Sequence, residues 1–512
     1  GRQVLVHYSD IGTADRELDK LKKFWHERLA GFSAQTPDAE LNSTVNVWGI
    51  YNSLITYSWS RAASLVYTGV DRDGLGYRDT VQDFIGVVHT IPDQVGERLE
   101  MMITGQLSSG AALPVVYPTR HNPGHEAVPD DDEYRSDDTM WLFHAIPDYV
   151  KETGNFGFYN KVLPYADTGE DTVFRHMKRA IEFSLKHSGE HGLPFGLKAD
   201  WNDCVRFGAT GETAFVAMQL RLALAVYVDV AERLDDKAET AWGREKLGEL
   251  DNNIQKHAWD GGWFLRGYGE HHERYGSHVN KEGSLFLNPQ VWAVIGGAAS
   301  SEQAEDAMNA VYNRLSTRYG LMICDPPFTG ENHNIIRAQL MNPGTKENAG
   351  IFIHPQGWAV IAEAMLGHGD RAYEYLRAYL PAAYNDHADV REVEPYVVCQ
   401  STHSRHSPKE GRSRVPWLTG AAAWTYYAVT RYILGIRPDY DALVIDPCIP
   451  SDWDGFTVSR EFRGCSFHVS VDNSAGVQRG VKSLLVNGRK MQSNRIPAAE
   501  FEKENNVKVV LG

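Results

Sequence analysis

Two carboxylates, Asp200 and Asp203, flank a tryptophan and an asparagine in the stretch Leu-Lys-Ala-Asp-Trp-Asn-Asp-Cys-Val-Arg at residues 197–206. Chemistry on sugars wants this mixture: a carboxyl able to hold a proton near neutral pH, and an indole face against which a pyranose ring can lie. Alone, the same residues read equally as an Asx turn capping the apolar helical pattern of 214–231, with Trp201 as core filler. Four further polar stretches supply complementary groups. Asp71-Arg72-Asp73-Gly74-Leu75-Gly76-Tyr77-Arg78-Asp79 is a dense donor and acceptor set for sugar hydroxyls or phosphate, or else a surface ion-pair network at a helix start. In Lys346-Glu347-Asn348-Ala349-Gly350-Ile351-Phe352-Ile353-His354-Pro355, the histidine stands where a proline opens a helix. Free N–H groups there can hold an anion; a buried structural histidine is the plainer alternative. Arg391-Glu392-Val393-Glu394-Pro395-Tyr396 runs into Cys399-Gln400-Ser401-Thr402-His403. Thr419-Gly420 then begins an alanine-rich helix, as a phosphate cradle or simply as its cap. His121 and His125 are separated by Pro123 and Gly124 and make no helical metal pattern. There is no nucleophile elbow, P-loop or basic aromatic patch.

The elements that must position these groups are helices. Helical periodicity runs over 15–29, 41–68, 80–105 (broken near Pro92), 139–152, 171–187, 214–234, 239–258, 288–298, 302–316, 356–378 and 418–434. Residues 108–138 form a long loop rich in Gly, Pro and Asp, expected as a lid or rim if ordered. Without strand–helix alternation, a doubly wound sheet and a TIM barrel are unsupported. The pattern predicts a mainly α protein built as an (α/α)6 toroid barrel, with its site in the loops at one end of the helix pairs. From about residue 440 the pattern becomes β-branched or alternating, at 442–445, 456–458, 466–471 and 482–486, with turns at Asp472-Asn473 and Asn487-Gly488. The expected organisation is a linker helix region at 1–35, the barrel at 36–437 and a small jelly-roll-like β-sandwich at 438–512.

Composition narrows the class. A net charge of -16 argues against nucleic acid as a partner and requires any bound anion to meet a local cluster of Arg, His and N–H groups. Five scattered cysteines, with no CxxC pair, fit a reducing compartment and no structural zinc, so a cytoplasmic location is expected. No apolar run approaches the roughly 18 residues needed to cross a membrane, and Gly1-Arg2-Gln3 does not open a signal peptide.

Taken together the stretches resemble the inverting disaccharide phosphorylases of glycoside hydrolase family 94, which include cellobiose, cellobionic acid and chitobiose phosphorylases. The matching pieces are Gly76-Tyr77-Arg78-Asp79-Thr80-Val81-Gln82-Asp83, Ala199-Asp200-Trp201-Asn202-Asp203-Cys204, Asn342-Pro343-Gly344-Thr345-Lys346-Glu347-Asn348, Glu394-Pro395-Tyr396-Val397 and Asp446-Pro447-Cys448-Ile449-Pro450. The resemblance implies Asp203 as general acid. It implies Arg72, Asp79 and Gln400 holding the transferred sugar with Trp201 as a wall, and Arg78, His354, Thr419 and Gly420 holding phosphate. No cofactor or metal is implied beyond inorganic phosphate as co-substrate. Family members carry an N-terminal β-sandwich and helical linker ahead of this region, so a homodimer is expected of a full-length form.

The expected reaction is reversible phosphorolysis, with inversion, of a β-linked glucosyl disaccharide to α-glucose 1-phosphate. Phosphate is itself a charged nucleophile, so the second carboxylate of an inverting hydrolase is not needed. Asp203 must hold a proton part of the time, so its pKa is expected to be raised by burial and by Asp200 or Asp79. Lys346 and Arg337 would suit an acidic leaving sugar, which favours cellobiose or cellobionate over chitobiose. Two other readings stay open: an inverting hydrolase with Glu394 or Asp79 as base, and a non-catalytic carbohydrate-binding protein.

Overall fold

Thr213 begins the longest apolar helix, Ala214–Arg233, by accepting the Val216 N–H on its side chain. The helix ends at Leu234, and Asp236 caps the helix that returns alongside it, Lys237–His257. In the computed structural model, which describes residues 1–60, 74–130, 133–417 and 419–512, this hairpin is one of several. The helices Tyr77–Asp83, Leu142–Thr153, Ala214–Arg233, Leu287–Ile295, His354–Leu366 and Ala421–Ala428 each pack against the next in that order, and the last packs against the first. Pro92–Ile103, Val173–Lys186, Lys237–His257, Ser301–Leu315 and Gly369–Tyr379 pack outside them. The predicted helix over 356–378 is two helices, because Gly367 takes φ 88° and ends the first. The 171–187 and 302–316 patterns are helices within a residue or two of those bounds, and the 139–152 pattern is a 3₁₀ turn, Asp138–Trp141, running into Leu142–Thr153.

Ala214–Arg233 is long and apolar enough to cross a membrane by length and composition, although no unbroken apolar run shows it. It is instead a core helix: 67% of its apolar window is buried, and Arg221, within it, pairs with Asp251 at 2.7 Å.

Where the six helices meet, tryptophans fill the space. Trp141, Trp292, Trp358 and Trp424 are all at most 1% exposed, with ring centroids 5.4 to 6.5 Å apart. Edge-to-face contacts predominate, the arrangement that the ring quadrupoles favour. Trp201 rests on this cluster, 5.1 Å from Trp358.

The C-terminal part is rich in sheet. Gly455–Phe462 pairs antiparallel with Cys465–Asp472 through a tight turn in which Arg463 and Gly464 both take positive φ, as a two-residue hairpin requires. The turn predicted at Asn487-Gly488 is of the same kind and joins Val481–Val486 to Arg489–Lys490. Glu504–Leu511 completes the pairing in the middle of a six-stranded sheet. The outermost strand comes from the other end of the chain: Phe32–Gln35, within the segment expected as linker, pairs with Gly455–Phe462. A buried charge cluster fastens sheet to helices. Arg460, on the inward face of its strand, donates to Glu152 of Leu142–Thr153 at 2.6 and 2.7 Å, and Arg431 donates to the same carboxylate at 2.8 Å.

Burial opposes the charge on Glu152, but the two guanidinium groups overcome it and lower its pKa from 4.5 to about 2. Glu152→Ala is therefore expected to destabilise the chain by about 3–5 kcal/mol at neutral pH, because two buried cations lose their shared partner. A depressed carboxylate stabilises fully above its unfolded pKa, so the wild-type advantage is complete above about pH 4.5 and fades towards pH 2. Urea unfolding followed by tryptophan fluorescence across this range checks both statements.

Candidate active site

The 199–206 turn is held from below by charge. Asp200, 1% exposed, accepts from Arg266 Nη2 at 2.6 Å, from the Thr213 hydroxyl at 2.8 Å and from the Asn202 N–H at 3.0 Å. The last contact is the Asx turn that the sequence offered as an alternative, and Thr213 caps the next helix as well. The structural reading of this stretch is thus realised on Asp200 and Thr213. Asn202 is fixed by Arg266 at 3.1 Å and Asn288 at 2.9 Å, and Asp203 is turned outward with a half-exposed side chain.

Asp203 enters a cleft of about 320 Å³ whose walls include Arg78, Asp79, Trp201, Lys346, His354, Gln400, Thr419 and Gly420. Residues spread over more than 340 positions thus meet around one space, within the range of small-molecule sites. Arg78 stands in the first turn of Tyr77–Asp83 and donates to Asp203 Oδ1 at 2.8 Å, to the Asp200 carbonyl at 2.7 Å and to Asp137 at 3.3 Å. His354 is the first residue of its helix, and its Nε2 lies 2.9 Å from Gln82 Oε1, which also accepts from Trp424 Nε1. Thr419 and Gly420 lead into Ala421–Ala428, with the Thr419 hydroxyl accepting the Ala421 N–H at 3.2 Å. The N-terminal ends of the His354 and Ala421 helices both open onto the cleft, where their partial positive charge favours an anion.

One of the expected site residues is not brought to this wall. Arg337 is exposed at the start of the turn Arg337–Leu340 and does not line the cleft. Arg72 lies outside the described residues. Of the two carboxylates considered as a hydrolytic base, Asp79 lines the cleft, whereas Glu394 does not and accepts from Trp417 Nε1 at 3.0 Å.

The sign expected for the Asp203 pKa is corrected. Burial raises it, but Arg78 and Arg135, at 2.8 and 3.2 Å, more than offset this, and the net shift is downward. Asp200, ion-paired with Arg266, is not among the main influences on it. The raised carboxyl in the cleft is a residue that sequence reasoning quoted but gave no role, Glu347. Burial and the charge of Asp203 lift its pKa to about 7, although the Cys204 N–H at 3.1 Å and the Asn202 amide at 3.3 Å favour its ionised form. Arg135 was also missed, sitting in the loop read as a lid or rim; no local pattern marks it.

The model of the glycosyl hydrolase 94 superfamily catalytic domain matches residues 24–435, which is most of the chain. The chain belongs to the glycosyl hydrolase 94 superfamily. The C-terminal domain of glycosyl hydrolase family 65 matches residues 436–478, directly after it. The N,N'-diacetylchitobiose phosphorylase of Vibrio furnissii is 38% identical over 100% of this chain and 66% of its own length. The solabiose phosphorylase of Paenibacillus borealis is 31% identical over 91% of this chain and 58% of its own. The chain thus spans about two thirds or less of these two relatives. Among solved structures, the GH78 family rhamnosidase of Bacillus sp. GL1 shares the fold with a TM-score of 0.55 at 13% identity, over 86% of this chain and 42% of that one.

Because Asp200 and Arg266 are both essentially unexposed, Asp200→Ala is expected to cost about 3–5 kcal/mol and to release the turn that carries Asp203. Glu347 behaves oppositely with pH. Its raised pKa means that the folded chain loses stability as pH rises from about 4.5 to 7, so Glu347→Gln should gain on wild type across that interval. Thermal unfolding of both variants at several pH values measures these effects.

Proposed function

We propose that the chain catalyses the reversible, inverting phosphorolysis of a β-linked disaccharide, giving an α-sugar 1-phosphate and the released sugar. The observation that carries this reading is the meeting of Asp203 with Arg78, His354, Thr419 and Gly420 around one cleft. Asp203 protonates the bridging oxygen. Arg78, His354 and the Thr419-Gly420 helix start present phosphate to the anomeric carbon from the other side, and Trp201, Asp79 and Gln400 hold the transferred ring. The six inner helices, each packed on the next, support an (α/α)6 toroid over 36–437, preceded by a linker at 1–35 and followed by a β-sandwich at 438–512.

The lowered pKa of Asp203 belongs to the ligand-free cleft, where Arg78 and Arg135 have a carboxylate as partner. Phosphate entering beside Arg78 draws that cation onto itself and sets a second negative charge near Asp203. Both effects raise the carboxyl's proton affinity. The acid is thereby charged with its proton as the nucleophile arrives.

For the sugar, 38% identity over the whole chain to an N,N'-diacetylchitobiose phosphorylase, against 31% to a solabiose phosphorylase, supports N,N'-diacetylchitobiose. The cellobiose or cellobionate reading loses half of its footing, since Arg337 does not line the cleft that Lys346 does.

Asp203→Asn is expected to abolish phosphate-dependent cleavage while leaving unfolding by urea unchanged within about 1 kcal/mol, since the asparagine keeps an oxygen acceptor for Arg78, which stays paired with Asp137. Its pH profile is the finer test. The alkaline limb in kcat, where Asp203 loses its proton in the ligand-bound state, should lie above the Asp203 pKa measured on the free chain by NMR titration. Product analysis with N,N'-diacetylchitobiose, cellobiose and cellobionate, with and without phosphate, decides the reaction. Cleavage without phosphate would establish a hydrolase instead.

A further inference from the structure

A second cavity, about 660 Å³, adjoins the cleft and shares Lys346 with it. In a chain of net charge -16, its wall carries Lys346, His403, His406, Lys409, Arg412 and Arg414, and among the described residues no acidic side chain lines it. Arg412 is paired with Glu392 and His406 with Asp325, whereas Lys346, Lys409 and Arg414 have no ion-pair partner among the described residues. The geometry that makes this cavity is a strand register. In Cys399–Thr402 neighbouring side chains leave on opposite faces, so Gln400 lines the cleft and Ser401 the basic cavity. The next strand, Ser413–Pro416, places Arg414 opposite Ser401. The positive charge is concentrated enough to act on its own members: burial lowers the pKa of His403, and Arg414, Arg412 and Lys409 lower it further.

We propose that this basic cavity is a second anion site, which takes inorganic phosphate or the phosphate group of a sugar phosphate and exchanges it with the cleft across Lys346. The shared chemistry is a phosphate dianion, matched by several cations that no carboxylate among the described residues pairs with. Exchange with the cleft rests on the phosphorylase reading; occupancy of the cavity does not. Like charges gathered in a recess concentrate counter-ions and raise the capture rate of a charged ligand, an effect that salt suppresses.

The test is calorimetric titration of the chain at low ionic strength with inorganic phosphate, with α-glucose 1-phosphate and with a neutral disaccharide. Lys409 and Arg414 are exposed, so Lys409→Glu/Arg414→Glu leaves the core untouched. The double variant is expected to lose a phosphate-binding event that the wild type and His354→Ala both retain, with affinity weakened about tenfold or more. Loss for both phosphate ligands assigns the site to the dianion itself, and loss for the sugar phosphate alone assigns it to that source. An unchanged phosphate and sugar phosphate isotherm in the double variant overturns the proposal, as does an equal loss of neutral disaccharide binding. If His354→Ala alters nothing while the double variant loses its event, the second site stands and the cleft phosphate reading falls. Kinetically, the double variant should raise KM for phosphate with kcat unchanged, and the salt dependence of kcat/KM should flatten.

Discussion

A buried ion pair fixes the turn that carries Asp203 into the cleft. Asp200 and Arg266 are withdrawn from solvent almost completely, and each brings further partners: Thr213, Asn202 and, through Asn202, Asn288 and Glu347. Such a pair contributes little net stability compared with apolar residues of the same volume, because desolvating two charges costs about as much as their attraction returns. What it supplies is register. With both oxygens of Asp200 committed, the Asp-Trp-Asn-Asp turn has one way to lie: Trp201 on the tryptophan cluster, Asn202 inward and Asp203 out into the cleft.

The cleft itself is a negotiation between carboxylates and cations. Asp203, Asp79 and Glu347 share the wall with Arg78, Lys346 and the open ends of two helices. In the ligand-free chain Arg78 and Arg135 are satisfied by Asp203, and Glu347 yields by taking up a proton near neutrality. An arriving anion competes with Asp203 for the same cations. The proton affinity of Asp203 is thus tied to the occupancy of the cleft beside it, which suits the proposed reaction, whose nucleophile carries its own charge.

The remainder of the fold keeps this arrangement rigid. Four buried tryptophans fill the space between the inner helices and give the cleft a hard floor. On the far side, Glu152 gathers Arg431 from the helical part and Arg460 from the sheet, so that the two parts are joined through a shared buried charge. Phe32–Gln35 closes the same junction from the other end of the chain.

The sequence by itself determined whatever repeats over short distances. Helical periodicity placed the elements within a few residues, the Asn487-Gly488 turn announced its hairpin, and the motif around Asp203 together with Arg78, His354 and Thr419-Gly420 named most of the cleft wall. These signals are local, because backbone hydrogen bonding and side-chain direction follow a fixed period along the chain. Only the tertiary structure decided which distant groups meet. Arg266 under Asp200, Arg135 beside Asp203, Glu347 as the raised carboxyl and Phe32–Gln35 as an edge strand carry no periodic mark, and neither does the exclusion of Arg337. The sign of the Asp203 shift depended on them, since a pKa reports the balance between desolvation and neighbouring charges, and that balance exists only once separate segments are brought together.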